Sequence, residues 1–264
     1  MKGKRVLHMA RGGVGKSFAA GEAVKEMNGV VIDTDNGWSH LSEKYDIPYV
    51  TEADWENRDL AGKIVYIPAD RPQKALEAVQ MLNSAQKAGK PMTELLVFDG
   101  YSEYETKQIF MNIKKRKGES DGGNLSDKAL DQKGWGYLRT DMVHLTAMMQ
   151  PLETGAHLYA TIRVVEKPDP FDPSEVMFRP AASGRFGDEI ESYFDLVFPT
   201  FKRRVREDGE TKHVRRTYFR PDKNPMSAIN FALNDRFEDD NTMPEFTDEF
   251  SLLWLLDTLN KGSK

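Results

Sequence analysis

The polarity pattern along the chain alternates short apolar runs with longer amphipathic segments. Five apolar runs predict β-strands, at residues 4–9, 29–33, 63–68, 94–99 and 157–164. Three segments whose apolar residues recur at helical spacing predict helices, at residues 17–27, 72–88 and 138–152. Because strands that alternate with helices are typical of a parallel sheet, the pattern predicts an α/β fold: a mainly parallel central sheet with helices on both faces.

The second half of the chain departs from this alternation. Residues 114–136 and 166–185 are rich in glycine, proline and charged residues, and they predict two long loops. Residues 196–219 predict a C-terminal β-hairpin that turns at Asp208 and Gly209. Thr247 is the predicted cap of a final helix.

Composition indicates a soluble protein of a reducing compartment. The 264 residues are 39% hydrophobic, which is enough for one large domain or for one domain with appendages. There are no cysteines and the five histidines show no ligand spacing, so neither disulfides nor a structural metal are expected. The sequence has no signal-peptide pattern and no apolar run of membrane-spanning length, so it predicts a cytoplasmic protein without a membrane partner.

Charge is unevenly distributed around a net value of −5. Basic clusters occur at residues 114–117, 202–206 and 212–216, whereas residues 236–249 are mostly acidic. Locally basic loops on an acidic body can bind phosphates with strong salt dependence. For each single cluster, a solvated surface is the alternative interpretation.

The most informative motif lies in residues 5–20, where a strand, a glycine-rich loop and a Lys-Ser pair precede an Ala-rich helix. In G-x-x-x-x-G-K-[ST], the backbone N–H groups of the loop and the positive end of the helix surround a triphosphate. Lys16 is predicted to contact the outer phosphates and Ser17 to hold Mg²⁺. Ala10 stands where the motif has its first glycine, and it is tolerable only with a negative φ. The predicted nucleotide-binding residues are Arg11, Gly12, Gly13, Val14, Gly15, Lys16, Ser17 and Phe18.

Acidic residues at two strand ends complete the predicted chemistry. Asp99 ends an apolar strand, and a P-loop ATPase needs such a carboxylate beside its first strand to hold Mg²⁺ or its water. Asp33 and Asp35 are two residues apart, so they project to one side at the carboxyl edge of the sheet if their strand continues. One of them could orient the attacking water, and a solvated strand end is the alternative.

The order of these parts resembles the RecA-type P-loop ATPase core, and in particular the phage-encoded Sak-type single-strand annealing proteins. The similarity runs from about residue 4 to residue 225, and it rests on the P-loop, on Ile32 to Asp35, on IVYIPADRPQKALEAV at 64–79, on LLVFDGYS at 95–102 and on LYATIRV at 158–164. The P-loop is the specific motif, whereas the others are persuasive only in their order. The resemblance implies a RecA-like ATPase core over residues 1–225, and residues 226–264 are predicted to be an acidic C-terminal segment with the terminal helix.

The resemblance also implies roles for single residues. Asp35 takes the place of the glutamate that activates water, and Thr161 takes the place of a glutamine that senses the γ-phosphate, with Arg163 following in the same relative place. These replacements imply slow or altered hydrolysis. Lys223 matches a lysine that completes the site of a neighbouring subunit, so the implied catalytic set is Lys16, Asp35, Arg163 and Lys223.

Residues 114–136 and 166–185 occupy the positions of the two DNA-binding loops of the family. They supply the mixture of basic and aromatic side chains that backbone tracking and base stacking require. The implied DNA-binding residues are Lys114, Lys115, Arg116, Lys117, Lys133, Trp135, Lys167, Phe178, Arg179 and Arg185. The implied ligands and partners are ATP, Mg²⁺, single-stranded DNA, further copies of the chain and a single-strand-binding protein, in the cytoplasm of a bacterial host.

Three hypotheses for the function follow. The first is a DNA-stimulated ATPase that binds single-stranded DNA in phage recombination or strand annealing. The second is a partition-type (ParA-like) or MinD-like switch ATPase, because RGGVGKS also resembles the deviant K-G-G-V-G-K-[ST] loop, with Arg11 in place of the lysine that acts across a dimer. The third is a nucleotide-gated annealing module with little turnover.

Overall fold

The structure is a computed structural model that describes residues 3–90, 93–117, 132–168, 176–207, 210–220, 230–231 and 243–261. Strands and helices alternate in the first half, in the order β1 (Arg5–Ala10), α1 (Lys16–Glu26), β2 (Val30–Asp33), α2 (Ser39–Tyr45), α3 (Glu52–Glu56), β3 (Ile64–Tyr66), α4 (Lys74–Lys87) and β4 (Leu95–Asp99). The second half contains α5 (Tyr101–Lys117), α6 (Gln132–Met148), α7 (Pro151–Thr154), β5 (His157–Ile162), β6 (Val164–Pro168), β7 (Val176–Pro180), α8 (Gly184–Glu189), β8 (Leu196–Glu207), β9 (Glu210–Tyr218), β10 (Asn230–Phe231), β11 (Phe246–Thr247) and α9 (Leu252–Lys261).

An eight-stranded sheet of order β11-β9-β8-β1-β5-β4-β2-β3 forms the centre of the described chain. The strands from β8 to β3 run parallel, whereas β9 and β11 join antiparallel at one edge. The hairpin of β8 and β9 runs from the pair Thr200 and Thr217 to the pair Glu207 and Glu210. The predicted fold class is therefore confirmed, with a mainly parallel sheet and a C-terminal hairpin.

Two apolar clusters cover the two faces of the sheet. One packs helices including α4 and α6 against the sheet, through side chains such as Val79 and Met142. The other packs α1, α2 and α9 through side chains such as Val24, Leu41 and Leu255. Because the central strands are buried on both faces, their sequences are apolar runs rather than alternating patterns.

The neighbours of the P-loop strand differ from the prediction. We expected the strand that ends in Asp99 to lie beside β1, and this is wrong because β5 lies between β1 and β4. Leu7 pairs in register with Ala160, and Ala160 pairs with Phe98 on the far side. β5, which comes later in the sequence, lies between β1 and β4 in the sheet, and no spacing of residues along the chain indicates this order.

The described parts of the two predicted loops are largely regular structure. α5 extends to Lys117 and α6 begins at Gln132, so residues 118–131 are the part of the first loop that lies outside the described residues. In the second loop, β6 and β7 pair antiparallel, and α8 follows. Pro168 and Pro180 stand at strand ends, where a missing backbone N–H is tolerated. The prediction of loop structure from proline content is therefore wrong over these strands.

The final helix begins later than predicted. Ser251, rather than Thr247, precedes α9, and its hydroxyl oxygen accepts a 3.2 Å hydrogen bond from the Trp254 backbone N–H. Thr247 lies instead in β11, where it pairs with Thr217. In the described part of the chain, no helix combines the length and the apolar character needed to cross a membrane.

Candidate nucleotide-binding site

The glycine-rich loop connects β1 to α1 at the carboxyl edge of the parallel strands. Gly13 has a φ of 70° and Gly15 a φ of 99°, values in the left-handed region that favours glycine. Ala10 is the last residue of β1 and is not among the described residues with a positive φ. Ala10 therefore has the negative φ that an alanine needs at this position of the motif.

A cleft of about 320 Å³ opens at this loop, a volume within the range of small-molecule sites. The predicted residues that line it are Gly12, Gly13, Gly15, Lys16, Ser17, Phe18, Asp35 and Arg163. Residues that line it without having been predicted include Gly37, His40, Glu103 and Arg215. The structure therefore brings most of the predicted nucleotide-binding residues together with side chains from α2, α5 and β9.

Three oxygen-bearing side chains converge beside Gly37. A Cβ atom placed on Gly37 would lie 2.8 Å from Asp35 Oδ1, 3.3 Å from Ser17 Oγ and 3.5 Å from Asp99 Oδ2. The Ser17 hydroxyl also hydrogen-bonds the Asp99 carboxylate. Hydroxyl and carboxylate oxygens are the ligands that Mg²⁺ prefers in proteins. Ser17 and Asp99 therefore fit the metal that was predicted for them, and the missing side chain of Gly37 keeps the space beside them open.

The Asp99 carboxylate is oriented by donors from other elements. Trp38 Nε1 donates a 2.8 Å hydrogen bond to Oδ2, and the Thr161 hydroxyl donates one to Oδ1. Asp99 is only 1% exposed, and its burial, followed by the nearby charge of Asp35, raises its pKa. The hydroxyl donors and the ammonium of Lys16 act in the opposite direction. A carboxylate with fixed donors on both oxygens has little rotational freedom.

Asp33 and Asp35 have different environments. β2 ends at Asp33, so the condition for both side chains to project to one side is not met. The buried Asp33 carboxylate accepts hydrogen bonds from the backbone N–H groups of Asp35, Gly37 and Trp38. Burial, with the neighbouring carboxylates of Asp99 and Asp35, raises the pKa of Asp33 to about 7. Asp33 therefore shapes the turn, and the exposed Asp35 lines the cleft.

Lys16 and Arg163, two further predicted residues, place positively charged side chains in the cleft. Lys16 Nζ lies 3.4 Å from the Ala10 carbonyl oxygen. Burial lowers the pKa of Lys16, while the carboxylates of Asp99 and Glu103 oppose that shift. Arg163 forms an ion pair with Glu103, and the Arg163 side chain is 62% exposed. Arg163 therefore lines the cleft with a side chain that stays mostly exposed despite the ion pair.

Arg215 reaches the same cleft from β9. A Cβ atom placed on Gly15 would lie 2.9 Å from Arg215 Nη1, so the guanidinium lies against the phosphate-binding loop. Arg215 belongs to a basic cluster in the sequence, but only the pairing of β9 with β8, and of β8 with β1, brings it to this loop. Sequence reasoning missed this residue because the signal is a sheet neighbourhood rather than a motif.

The other predicted site residues lie apart from the cleft or outside the described residues. Val14 is buried, and Arg11 is 69% exposed and forms an ion pair with Glu166 on β6. Lys223 lies outside the described residues. Its role in a neighbouring subunit stays a prediction.

The side chains predicted to bind DNA on β7 and α8 have partners within the fold. The ring of Phe178 packs against that of Phe201, with centroids 4.7 Å apart. Arg179 lies 3.7 Å from a carboxylate oxygen of Glu191. Arg185 forms an ion pair with Glu189. These contacts do not test DNA binding, and the assignment of these residues stays a prediction.

The remaining predicted DNA-binding residues lie around the two ends of the first predicted loop and on β6. Residues 114–117 form the last turn of α5, and their side chains lie outside the described part. Lys133 is exposed at the start of α6, whereas Trp135 is half-buried against the core. Lys167 is half-buried on β6.

Comparison with known proteins identifies a family over most of the chain. The family model described as an AAA domain matches residues 2–225. Among solved structures, the chain is similar to a KaiC-like protein from the hyperthermophilic archaeon Pyrococcus horikoshii, at 14% identity over 84% of this chain and 81% of that chain, with a TM-score of 0.40. It is also similar to the flagellar accessory protein FlaH from Methanocaldococcus jannaschii, at 10% identity over 82% of this chain and 78% of that chain, with a TM-score of 0.36. None of the curated proteins compared with the chain matches it.

Proposed function

The chain belongs to the AAA domain family, whose model matches residues 2–225. We propose that it is a RecA-like, Mg²⁺-dependent ATPase that acts with single-stranded DNA in recombination or strand annealing, and the family match supports the ATPase part of this proposal. The observation that carries the nucleotide part is the convergence of Ser17, Asp35 and Asp99 on the open space beside Gly37. A metal held there would supply positive charge to phosphate oxygens. Binding of the phosphates and orientation of the attacking water are assigned to residues of the chain.

Phosphate binding is proposed for the loop, for the start of α1 and for two cations. The backbone N–H groups at the start of a helix attract anions, and Gly13 and Gly15 adopt the left-handed conformations that let the backbone approach a phosphate. Lys16 lies within the cleft, and Arg215 approaches the loop from β9. Two charges on separate elements would hold the phosphates from more than one side.

Slow hydrolysis is proposed from the carboxylates and their partners. Asp35 is the exposed carboxylate of the cleft, and we assign it the orientation of the attacking water. The Thr161 hydroxyl donates to Asp99 and also accepts a 2.9 Å hydrogen bond from the Gly100 backbone N–H. Because Thr161 is short and already engaged, it is not placed to extend toward a phosphate, which supports low turnover.

The DNA part of the proposal has a different basis from the nucleotide part. It rests on the resemblance to Sak-type annealing proteins and on exposed basic and aromatic side chains, of which Lys133 and the 62% exposed Tyr137 lie together at the start of α6. Side chains of these two types bind and stack on single strands. Assembly of several copies, with Lys223 acting on a neighbouring site, belongs to the same proposal.

The test is the ATPase rate with Mg²⁺, measured with and without a single-stranded oligonucleotide, for the wild type, Lys16→Ala and Lys25→Ala. Lys25 is an exposed lysine on the same helix as Lys16, so its variant controls for loss of charge. We expect DNA-stimulated hydrolysis in the wild type and in Lys25→Ala, and none in Lys16→Ala. Wild-type hydrolysis in Lys16→Ala would contradict the nucleotide site. Nucleotide-dependent dimerisation without any affinity for single strands would instead favour the switch ATPase.

A further inference from the structure

The hairpin of β8 and β9 extends beyond the strand that flanks it. β1 pairs with β8 as far as Thr200, whereas β8 continues to Glu207 and pairs with β9 over its whole outer length. On the other side, β11 pairs with β9 at Thr217 and Tyr218. The outer part, residues 201–207 and 210–216, is therefore a two-stranded extension of the sheet, which we call the hairpin arm.

Residues that pair directly across two antiparallel strands share one face, and every second pair shares the same face. Three alternate pairs of the hairpin arm form what we call the cationic face, namely Lys202 with Arg215, Arg204 with His213 and Arg206 with Thr211. All six residues are exposed. The face therefore carries only basic and hydroxyl side chains, with no acidic and no apolar residue among them.

The opposite face of the hairpin arm is satisfied within the fold. Arg203 Nε donates a 3.1 Å hydrogen bond to the Tyr218 hydroxyl. Arg216 forms a two-pronged ion pair with Asp248, at 2.8 and 2.7 Å. Glu210, by its register, also belongs to this opposite face. Arg203 and Arg216 on this face thus have partners within the fold.

Within the part of the chain that the structure describes, no carboxylate pairs with Lys202, Arg204, Arg206 or Arg215. Lys202 stands directly opposite Arg215, and like charges in that position destabilise a sheet. Arg204 is the diagonal neighbour of Arg215 and adds to the repulsion. Where residues break a local rule without a compensating contact in the fold, a functional constraint is the expected reason.

We propose that the cationic face binds the phosphate backbone of single-stranded nucleic acid, an inference that rests on the proposed function and gives it a site outside the two predicted loops. Side chains two positions apart on one strand recur about every 6.6 Å, so Lys202, Arg204 and Arg206 form a regular row of charges. Arginine, lysine and threonine are among the residues that bind phosphate oxygens. A protein partner would require apolar or aromatic residues at the centre of the surface, and this face has none.

The cationic face begins at the nucleotide cleft. Arg215, its innermost residue, is the same residue whose guanidinium lies against Gly15 in the phosphate-binding loop. A nucleic-acid strand on this face would therefore end beside the bound nucleotide. Variants that test the face leave Arg215 unchanged, so that the nucleotide site is not altered.

The experiment compares two triple variants with the wild type, by fluorescence anisotropy of a labelled single-stranded oligonucleotide over a series of salt concentrations. Lys202→Gln/Arg204→Gln/Arg206→Gln removes three charges from the cationic face. The control, Lys25→Gln/Lys87→Gln/Lys90→Gln, removes three charges from exposed positions away from the cationic face. Lys25 lies on α1, Lys87 ends α4 and Lys90 follows α4. Each phosphate contact with a single strand contributes about 0.7 to the slope of log affinity against log salt, so we expect the first variant to lower that slope by about 2 and the affinity by at least about tenfold. We expect less than a roughly twofold change in affinity for the second variant, because surface charges away from the site are screened.

Each outcome decides between the claims. Equal losses in both triple variants would overturn the cationic face as a site while leaving the proposed function intact. A wild type that does not bind the oligonucleotide would overturn both. Tighter binding to a duplex of the same sequence would overturn the assignment to single strands, and equally tight binding of poly-glutamate would overturn the assignment to nucleic acid. Basal ATP hydrolysis without DNA, unchanged in the face variant, shows that it is folded.

Discussion

Trp38 Nε1 donates a 2.8 Å hydrogen bond to Oδ2 of Asp99, and both side chains are buried. The backbone N–H of Trp38 also lies 3.3 Å from the Asp33 carboxylate. Trp38 therefore ties the turn after β2 to the carboxylate at the end of β4. The orientation of Asp99, the carboxylate that we assign as a Mg²⁺ ligand, therefore depends on Trp38, a residue that belongs to no recognised motif of this sequence.

Replacing Trp38 with phenylalanine removes this donor and keeps an aromatic ring in the core. We expect ATP hydrolysis to require a higher Mg²⁺ concentration, because Asp99 is no longer held in one orientation. The unfolding free energy should fall by about 1–3 kcal/mol, since a buried oxygen loses its partner. A Mg²⁺ titration of the ATPase rate and a denaturant unfolding curve measure the two effects. Trp55→Phe, at a half-buried tryptophan of α3, is the control, and a Mg²⁺ requirement equal to that of wild type in Trp38→Phe would contradict the role of the indole.

Replacing Gly37 with alanine tests the open space at the centre of the site. The added Cβ would lie 2.8 Å from Asp35 Oδ1, 3.3 Å from Ser17 Oγ and 3.5 Å from Asp99 Oδ2, so the Asp35 carboxylate must shift and the space beside Ser17 and Asp99 is filled. We expect hydrolysis to fall by at least about tenfold, which corresponds to about 1.4 kcal/mol in the barrier. The matched control is Gly136→Ala on α6, where a Cβ meets nothing within 4 Å. Full activity of Gly37→Ala at an unchanged melting temperature would show that the space is not used.

Replacing Arg215 with alanine tests whether the hairpin arm contributes to nucleotide binding in the same chain. We expect the affinity for ATP to fall about tenfold, because a hydrogen bond to a charged group contributes roughly 1.5–3 kcal/mol. The affinity for AMP should change less, since fewer phosphates are present. Arg204→Ala removes the same charge from the same face outside the cleft and should leave ATP affinity unchanged. Equal effects of the two variants in a fluorescent-nucleotide titration would argue against a direct contact.

The buried side chain of His8 should make the free energy of unfolding depend on pH. The ring is buried, with Nδ1 2.5 Å from the Tyr159 hydroxyl oxygen and Nε2 2.6 Å from Thr200 Oγ1, and burial together with Lys16 lowers its pKa well below the usual value. A folded-state pKa below the unfolded value of about 6.5 means that the unfolded state binds the proton first as pH falls. Stability from His8 is therefore complete above about pH 6.5 and is lost below it, by about 1.4 kcal/mol per pH unit.

The measurement is the difference in unfolding free energy between pH 7 and pH 5, for the wild type and for His8→Gln. The variant should be less stable at pH 7, because hydrogen bonds to the ring are lost, but it should lose less stability on acidification. If both proteins lose the same free energy between the two pH values, the titration of His8 does not contribute.

The elements that local sequence determines were predictable, and the neighbourhoods that distant segments create were not. The strand, loop and helix of residues 5–20 lie where the motif and the polarity pattern put them, because their conformations depend on nearby glycines and on apolar periodicity. The place of β5 between β1 and β4 depends on a segment far along the chain. The strands β6 and β7 were not predicted, because the prolines at their ends indicated a loop.

The same division holds for the site. Lys16, Ser17, Asp35 and Asp99 lie together because each ends or follows a strand at one edge of the sheet. Arg215 was not predicted, because its position depends on the register of β8 with β9. Such a register cannot be derived from the composition of a basic cluster, although the alternation of Lys202, Arg204 and Arg206 becomes visible once the hairpin is known.

The most direct test of the central claim, that the cleft is a Mg²⁺-dependent ATP site, is calorimetric titration of ATP into the wild type and into Lys16→Ala, with and without Mg²⁺. The wild type should bind one ATP per chain, more tightly with Mg²⁺, because Ser17 and Asp99 provide oxygen ligands for the metal. Lys16→Ala should lose binding under both conditions. An affinity of Lys16→Ala equal to that of wild type, or a wild type that does not bind ATP, would contradict the account.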